Sequence, residues 1–407
     1  MESNPSSSPP VSLELNLENL KAIKVLGEGA MGTVFLVYNT VTDPTGRSPF
    51  ALKVVQRSKH DADRRARLEI AVLEKLSPAN PEFQHPFLPR LLGHLHTAEF
   101  LAWAVPYCPG SDLHVLRYHQ IDRVFSPVVI RFYVAEVLCA LEHLHSLGIV
   151  YRDLKPENIL IQQSGHAMLT DFDLSRNLKK KNSSESSTDE KKDRYWLFRN
   201  TFIRCIPSVP DCRIERTFVK SKSARVSPVN RRKLSFANEE RSNSFVGTEE
   251  YVSPEVLRGH GHEFAVDWWS LGILCYEMLY GTTPFKAENR KETFRKIMTK
   301  EPDFMGERNT LTDFIGRLLK KDPKKRLGYH GGASEIKEHP FFEGVNWELL
   351  TGVNRPPFIP PRDEDDVTEK AAAEEIDIKE YFARLKATTS LPPPSPQLRG
   401  NVSFTEF

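Results

Sequence analysis

The early apolar positions fall in short runs. Residues 22–26, 33–38 and 50–54 are rich in β-branched and aromatic side chains and are separated by Gly and Pro clusters, which predicts strands of an antiparallel sheet. Residues 62–76 follow as a helical stretch. Beyond Tyr107 the period changes. Val129, Phe132, Tyr133, Val137, Leu141 and Leu144 recur at three- and four-residue intervals, which predicts a long helix with one apolar face. Residues 267–280 read the same way. The pattern predicts an α+β, bilobal chain: a small antiparallel β-sheet lobe with one main helix, then a larger, mostly helical lobe. A cleft between such lobes is the expected ligand site.

Three stretches break the pattern. Residues 1–19 are rich in Ser, Pro and Asn and lack periodicity, so they predict a disordered leader. Residues 177–243 interrupt the larger lobe, too long for an ordinary loop and too polar for a core, and predict a mostly disordered insertion. The domain proper is then 20–342. Residues 343–407 form a tail with a Pro-rich segment at 356–361, an acidic patch at 363–366, a helix around 371–385 and a closing Phe404-Thr405-Glu406-Phe407.

Composition sharpens this picture. Of 407 residues, 39% are hydrophobic and 27% charged, enough for a sizeable core. The net charge of +2 hides an asymmetry: residues 177–243 carry 17 Lys and Arg against 8 Asp and Glu, leaving 39 against 46 elsewhere. No apolar run approaches the ~20 residues that cross a bilayer, and the N-terminus has no signal-peptide pattern, so a soluble, intracellular protein is expected. Cys108, Cys139, Cys205, Cys212 and Cys275 are odd in number and scattered, which suits a reducing compartment. The wide spacing of Cys205 and Cys212, with no second ligand pair following, disfavours zinc. Basic runs at 179–181, 191–192 and 231–233 suit a nuclear or anionic-membrane address as well as a solvated loop. The expected location is cytoplasmic and nuclear, with the peripheral plasma membrane as the alternative. No stacking aromatics or groove-reading helix accompany the basic charge, so no specific nucleic-acid binding is expected.

Gly27-Glu28-Gly29-Ala30-Met31-Gly32-Thr33-Val34 has the form G-x-G-x-x-G-x-V, whose glycines let a turn approach phosphates closely. A dinucleotide turn would lead into a helix. Here Thr33, Val34, Phe35 and Val37 follow, which favours a strand-to-strand loop over ATP. Lys53, in Ala51-Leu52-Lys53, falls on the next strand, where it can bind the α- and β-phosphates if a carboxylate holds it. Glu69 on the following helix is the candidate; Glu74 is the competitor.

Tyr151-Arg152-Asp153-Leu154-Lys155-Pro156-Glu157-Asn158 resembles the protein-kinase catalytic loop H-R-D-x-x-x-x-N, with Tyr where His is usual. In that reading Asp153 accepts or orients the proton of a substrate hydroxyl, Lys155 offsets charge on the transferring phosphoryl, and Asn158 supplies an oxygen to magnesium. Asp171-Phe172-Asp173 supplies a second metal ligand in Asp171, since a hard cation bridging phosphates takes oxygen donors. The third position is usually Gly. An Asp there tolerates positive φ less readily and adds a carboxylate near the metal, which would restrict flipping of the segment. Ser253-Pro254-Glu255 stands for A-P-E, with Glu255 expected to pair with Arg326 and Asp267 to anchor the catalytic loop.

On Asp171-Phe172-Asp173, the long insertion before Ser253-Pro254-Glu255, and the closing Phe404-x-x-Phe407, the chain resembles the AGC group of serine/threonine protein kinases. It is most similar to the plant subgroup VIII, in the branch containing the unicorn and oxidative-signal-inducible kinases. The resemblance covers residues 20–342 and the extreme tail. It implies a bilobal protein kinase fold, ATP and Mg as cofactors, basophilic protein substrates and a role in plant signalling and growth control. It implies an ATP site of Leu26, Gly27, Gly29, Gly32, Val34, Ala51, Lys53 and Glu69, with Val105 as gatekeeper and the backbone of Pro106 and Cys108 on adenine. It implies an acidic substrate groove of Asp112, Glu157 and Glu277, all carboxylates, as Arg recognition requires. Phe404 and Phe407 match a hydrophobic motif that docks on the small lobe and recruits the phosphoinositide-dependent kinase. The usual Asn-Phe-Asp tail segment is absent from the sequence.

A groove preferring arginine three residues before the target would find sites in the chain itself: Arg241-Ser242-Asn243-Ser244 and Arg232-Lys233-Leu234-Ser235. A phosphate on Ser244 is expected to pair with Arg152, order the segment and raise activity. The rival reading is a catalytically silent pseudokinase scaffold working through insertion and tail. The presence of Lys53, Asp153, Asn158 and Asp171 argues against it.

Overall fold

A computed structural model describes residues 15–29, 32–43, 48–57, 60–78, 84–178, 249–259, 263–353, 356–360 and 376–389. The leader up to residue 14, the insertion from 179, Ser244, the acidic patch, and Phe404 and Phe407 lie outside them. The chain divides into two units, one of residues 1–112, 159–174 and 351–407, the other of 113–158 and 175–350.

In the first unit, strands β1 (Leu20–Gly29), β2 (Gly32–Asn39), β3 (Phe50–Gln56), β4 (Gly93–His96) and β5 (Phe100–Pro106) form a sheet in the order β1-β2-β3-β5-β4, and α1 runs from His60 to Leu76. Every ladder in it is antiparallel. Side chains alternate across a strand. Phe35, Val37, Leu52, Val54, Ala102 and Ala104 therefore make one apolar face, which is buried together with Leu15, Leu17 and Phe100. Leu15 is only 1% exposed, so order begins earlier than the predicted boundary at Leu20. Leu15 and Leu17 are too few apolar positions to mark an element in sequence, yet they pack into the sheet's buried face.

The tail completes that face. Ile376 pairs with Ala22, and a helix from Ile378 to Thr389, later in the chain than predicted, packs Ile378 and Phe382 on it. The Phe382 ring lies 5.1 Å from Phe100 and 6.1 Å from Phe35, centre to centre. Its neighbour Tyr381 hydrogen-bonds Glu28 of the glycine loop. Residues 356–360 run along the hairpin of two strands, Ile159–Ile161 and Ala167–Leu169. Gly165, at φ 89°, turns that hairpin, and a Cβ there would come within 2.3 Å of the Phe358 carbonyl oxygen.

The second unit is helical. Pro127–Ser146 starts with Ser126 accepting from Val129 N–H and Pro127 in the first turn, a favourable start because both deal with orphan amides. Ala265–Tyr280 is buried on nearly every side and ends on Gly281 at φ 75°, as a core helix with a left-handed cap should. Glu255 and Arg326 form a bidentate pair, Nη1 to Oε1 at 2.6 Å and Nη2 to Oε2 at 2.9 Å. Arg176–Asn177 pairs with Ile149–Val150, so residues 177 and 178 belong to the folded unit and not to the insertion.

Candidate active site

In the first unit, register sets the site. Val34 lies beside Lys53, Lys53 beside Trp103, and Ala51 beside Val105. Since Leu52 and Val54 point to the apolar face, Lys53 points to the other, toward α1. Its Nζ donates to Glu69 Oε2 at 2.7 Å and to Asp171 Oδ1 at 2.9 Å, and sits 5.3 Å from the centre of the Trp103 ring. Glu74 does not compete for it; its carboxylate lies 3.9 Å from His94. Burial on its own would lower the Lys53 pKa, but Asp171 and Glu69 outweigh it and hold the ammonium well above the usual lysine range. Burial raises the Glu69 carboxyl to about 7, against the pull of Lys53.

The glycines differ in what demands them. A Cβ on Gly32 would meet the Val54 carbonyl oxygen at 2.3 Å, whereas one on Gly27 would meet no atom of the described residues within 4 Å. Packing explains the first and not the second. Leu26 is 37% exposed, and among the described residues a Cβ on Gly29 would meet the Gly32 carbonyl oxygen at 3.9 Å. Pro106 ends β5 opposite Phe50. The Cys108 side chain packs inward, 3.8 Å from Met168 Sδ, and burial pushes its thiol up to about 12. Asp112 bridges to Leu160 through the backbone.

Asp171, at φ 59°, holds the left-handed backbone of the Asp171-Phe172-Asp173 segment. Asp173 is not among the residues with positive φ. The expected conflict between an acid and a glycine-type backbone at position 173 therefore does not arise. Its buried carboxylate is paired with Arg65 of α1.

In the second unit, Asp267 is completely buried and holds the catalytic loop by its backbone. Oδ2 accepts from Tyr151 N–H at 2.9 Å, Oδ1 accepts from Arg152 N–H at 2.7 Å, and His145 Nε2 lies 2.8 Å from Oδ2. These bonds support Arg152 at φ 74°, a costly conformation for a non-glycine residue. Tyr151 is fully buried. Asp153 Oδ2 accepts from Lys155 Nζ at 2.8 Å and from Asn158 Nδ2 at 2.8 Å, and the same Nδ2 donates to the Asp153 carbonyl at 2.8 Å. With its nitrogen so placed, Asn158 keeps its amide oxygen for another partner.

Of the carboxylates expected to line an acidic groove, two lie in this unit: Glu157 has a side chain 47% exposed, 3.7 Å from His114. Glu277 is engaged: Oε1 accepts from Arg117 at 3.1 Å and Oε2 from Tyr251 at 2.7 Å. Burial raises its carboxyl above the usual range despite those two partners. Trp103, Arg65, His145, Arg117 and Tyr251 carry no motif, and only register and packing bring them to these sites. Among the described residues no helix is long and apolar enough to cross a membrane.

Residues 20–197 and 233–342 match the protein kinase domain family. The chain is 56% identical over its whole length to serine/threonine-protein kinase UCNL of Arabidopsis thaliana, covering 99% of that protein. It is 55% identical to serine/threonine-protein kinase UCN of the same plant, with both chains covered in full. Serine/threonine-protein kinase OXI1, also of Arabidopsis thaliana, is 43% identical over 91% of this chain and 87% of its own. The resemblance read from the motifs is borne out.

Proposed function

Given that the chain belongs to the protein kinase family and is a serine/threonine-protein kinase, we propose that it transfers the γ-phosphate of magnesium-bound ATP to Ser or Thr in proteins with basic residues before the target. The observation that carries this reading is Lys53 held between Glu69 at 2.7 Å and Asp171 at 2.9 Å. A lysine so fixed is aimed at the α- and β-phosphates without reorganising when they arrive. Gly27, which packing does not require, leaves room for their approach, and Leu26, Val34, Ala51, Val105 and the Pro106–Cys108 backbone serve the nucleoside.

Asp171 and Asn158 are the hard oxygen donors that suit magnesium, which is usually held by one or two carboxylates and the substrate phosphates. When bound, the ion offsets charge on the transferring group. Asp153, held by Lys155 and Asn158, orients the substrate hydroxyl and takes its proton. Lys155 neutralises charge on the phosphoryl oxygens. Asp112, Glu157 and Glu277 receive substrate arginines. Ser244 as activating phosphosite paired with Arg152, and Phe404 and Phe407 as the contact for a phosphoinositide-dependent kinase, remain part of the proposal from sequence. So do a cytoplasmic and nuclear location and membrane contact through the basic insertion. No observation favours the silent scaffold.

The test is phosphate transfer from ATP and Mg to a peptide Arg-Arg-x-Ser by wild type, Asp153→Ala and Asp171→Ala. Transfer by wild type and its loss in both variants is expected. Equal transfer to a peptide with Ala for both arginines would remove the basophilic part alone.

A further inference from the structure

Arg65 lies four residues before Glu69 on α1, so the two share a face one turn apart. Both turn toward Asp171-Phe172-Asp173. Glu69 reaches the first carboxylate of that segment through Lys53, at 2.7 and 2.9 Å. Arg65 reaches the third carboxylate directly, in an ion pair whose Asp173 side chain is 4% exposed and whose Arg65 side chain is 25% exposed. The first strut runs through groups that phosphates and metal would engage. The second is made by the protein alone, and the glycine usual at the third position could not make it.

We propose that Arg65 and Asp173 are positioning residues for phosphoryl transfer, their ion pair holding α1 and the Asp171 segment in the arrangement where Lys53 meets both Glu69 and Asp171, with or without nucleotide. This rests on the reading of Lys53 and Asp171 as the phosphate and metal side chains. The unequal burial makes the pair asymmetric. Without Asp173, Arg65 is near enough to solvent to rehydrate. Without Arg65, the Asp173 carboxylate stays buried and keeps the more distant field of Lys53 in place of a direct ion pair, the costlier loss. Removing Asp173 as well should therefore relieve the Arg65 variant.

The experiment compares the full chain with Arg65→Gln, Asp173→Ala and the double variant. Alanine fits at 173 because no positive φ is required there. Two quantities are read: kcat and KM for ATP with Mg, and amide exchange of α1 and of residues 171–173 without nucleotide. Coupled residues of this kind predict kcat down about tenfold in Arg65→Gln and about threefold in Asp173→Ala, with the double variant equal to Asp173→Ala. KM for the peptide, measured in the same assays, should stay unchanged, and exchange at Phe172 and Asp173 should speed up in all three. Multiplying effects in the double variant, or unchanged exchange, would overturn the proposal. Should Arg65→Gln fail to fold, exchange in Asp173→Ala decides alone. A wild type without transfer activity would sink the kinase reading, while exchange still reports on the strut.

Discussion

Two ion-pair sites, one in each unit, look alike on paper and differ in how far they are closed. Arg326 and Glu255 meet two-to-two with side chains 0% and 6% exposed, and Arg326 also donates to the Ala265 carbonyl. Lys53 meets two carboxylates at once, and the Asp171 side chain stays 35% exposed. The first site is closed: fork matches fork, and nothing further is wanted. The second sets two carboxylates against one lysine on an accessible side, which suits the proposed cation-bearing phosphate ligand. A closed pair ties chain segments together; the open one is where the proposed ligand would bind.

The comparison breaks most sharply in activity. Asp153→Ala should lower kcat by about 10² to 10⁴ without moving the urea midpoint, read by peptide phosphorylation and a denaturation curve. The closed pair should do the reverse. Arg326→Met leaves Glu255 buried without its partner and should cost about 3–5 kcal/mol of stability in the second unit, measured by urea unfolding. Phe382→Ala asks whether the tail helix belongs to the sheet core; about 3 kcal/mol should be lost, seen as earlier thermal unfolding of the first unit.

The smallest effect is a pH dependence. Burial, more than the contact with Asp313, sets the His339 pKa below its ordinary value. Its Nδ1 accepts from Phe341 N–H, which a proton would block. The unfolded ring, titrating near ~6.5, takes up a proton first as pH falls. This contribution to stability is therefore full above that value and is lost as pH drops toward the lower folded pKa. The urea midpoint should fall as pH drops below about 6.5, and less so in His339→Asn.

Spacing along the chain made Lys53, Asp153, Asn158 and Asp171 legible, because each sits at a fixed offset inside a short motif. Glu69 was legible only as one of two carboxylates on the helix, with Glu74 the other, and its contact with Lys53 separates them. Arg326 and Asp267 were legible as partners of motif residues. Trp103 and Arg65 were not, since their roles depend on strand register and on which turn of α1 faces Asp173. Tyr381 and Phe382 were hidden for a related reason: a tail helix gives no sign of the sheet it will cover. The concern over Asp173 came from judging a residue by the backbone its usual occupant adopts. Asp171 holds the positive φ instead.

The most direct test of the open-versus-closed distinction is a side-by-side measurement of peptide phosphorylation and urea midpoint in Asp171→Asn and Glu255→Gln. The account predicts that Asp171→Asn loses transfer and keeps its midpoint, while folded Glu255→Gln keeps transfer and unfolds at lower urea. A destabilised Asp171→Asn, or a Glu255→Gln of unchanged midpoint, would contradict it.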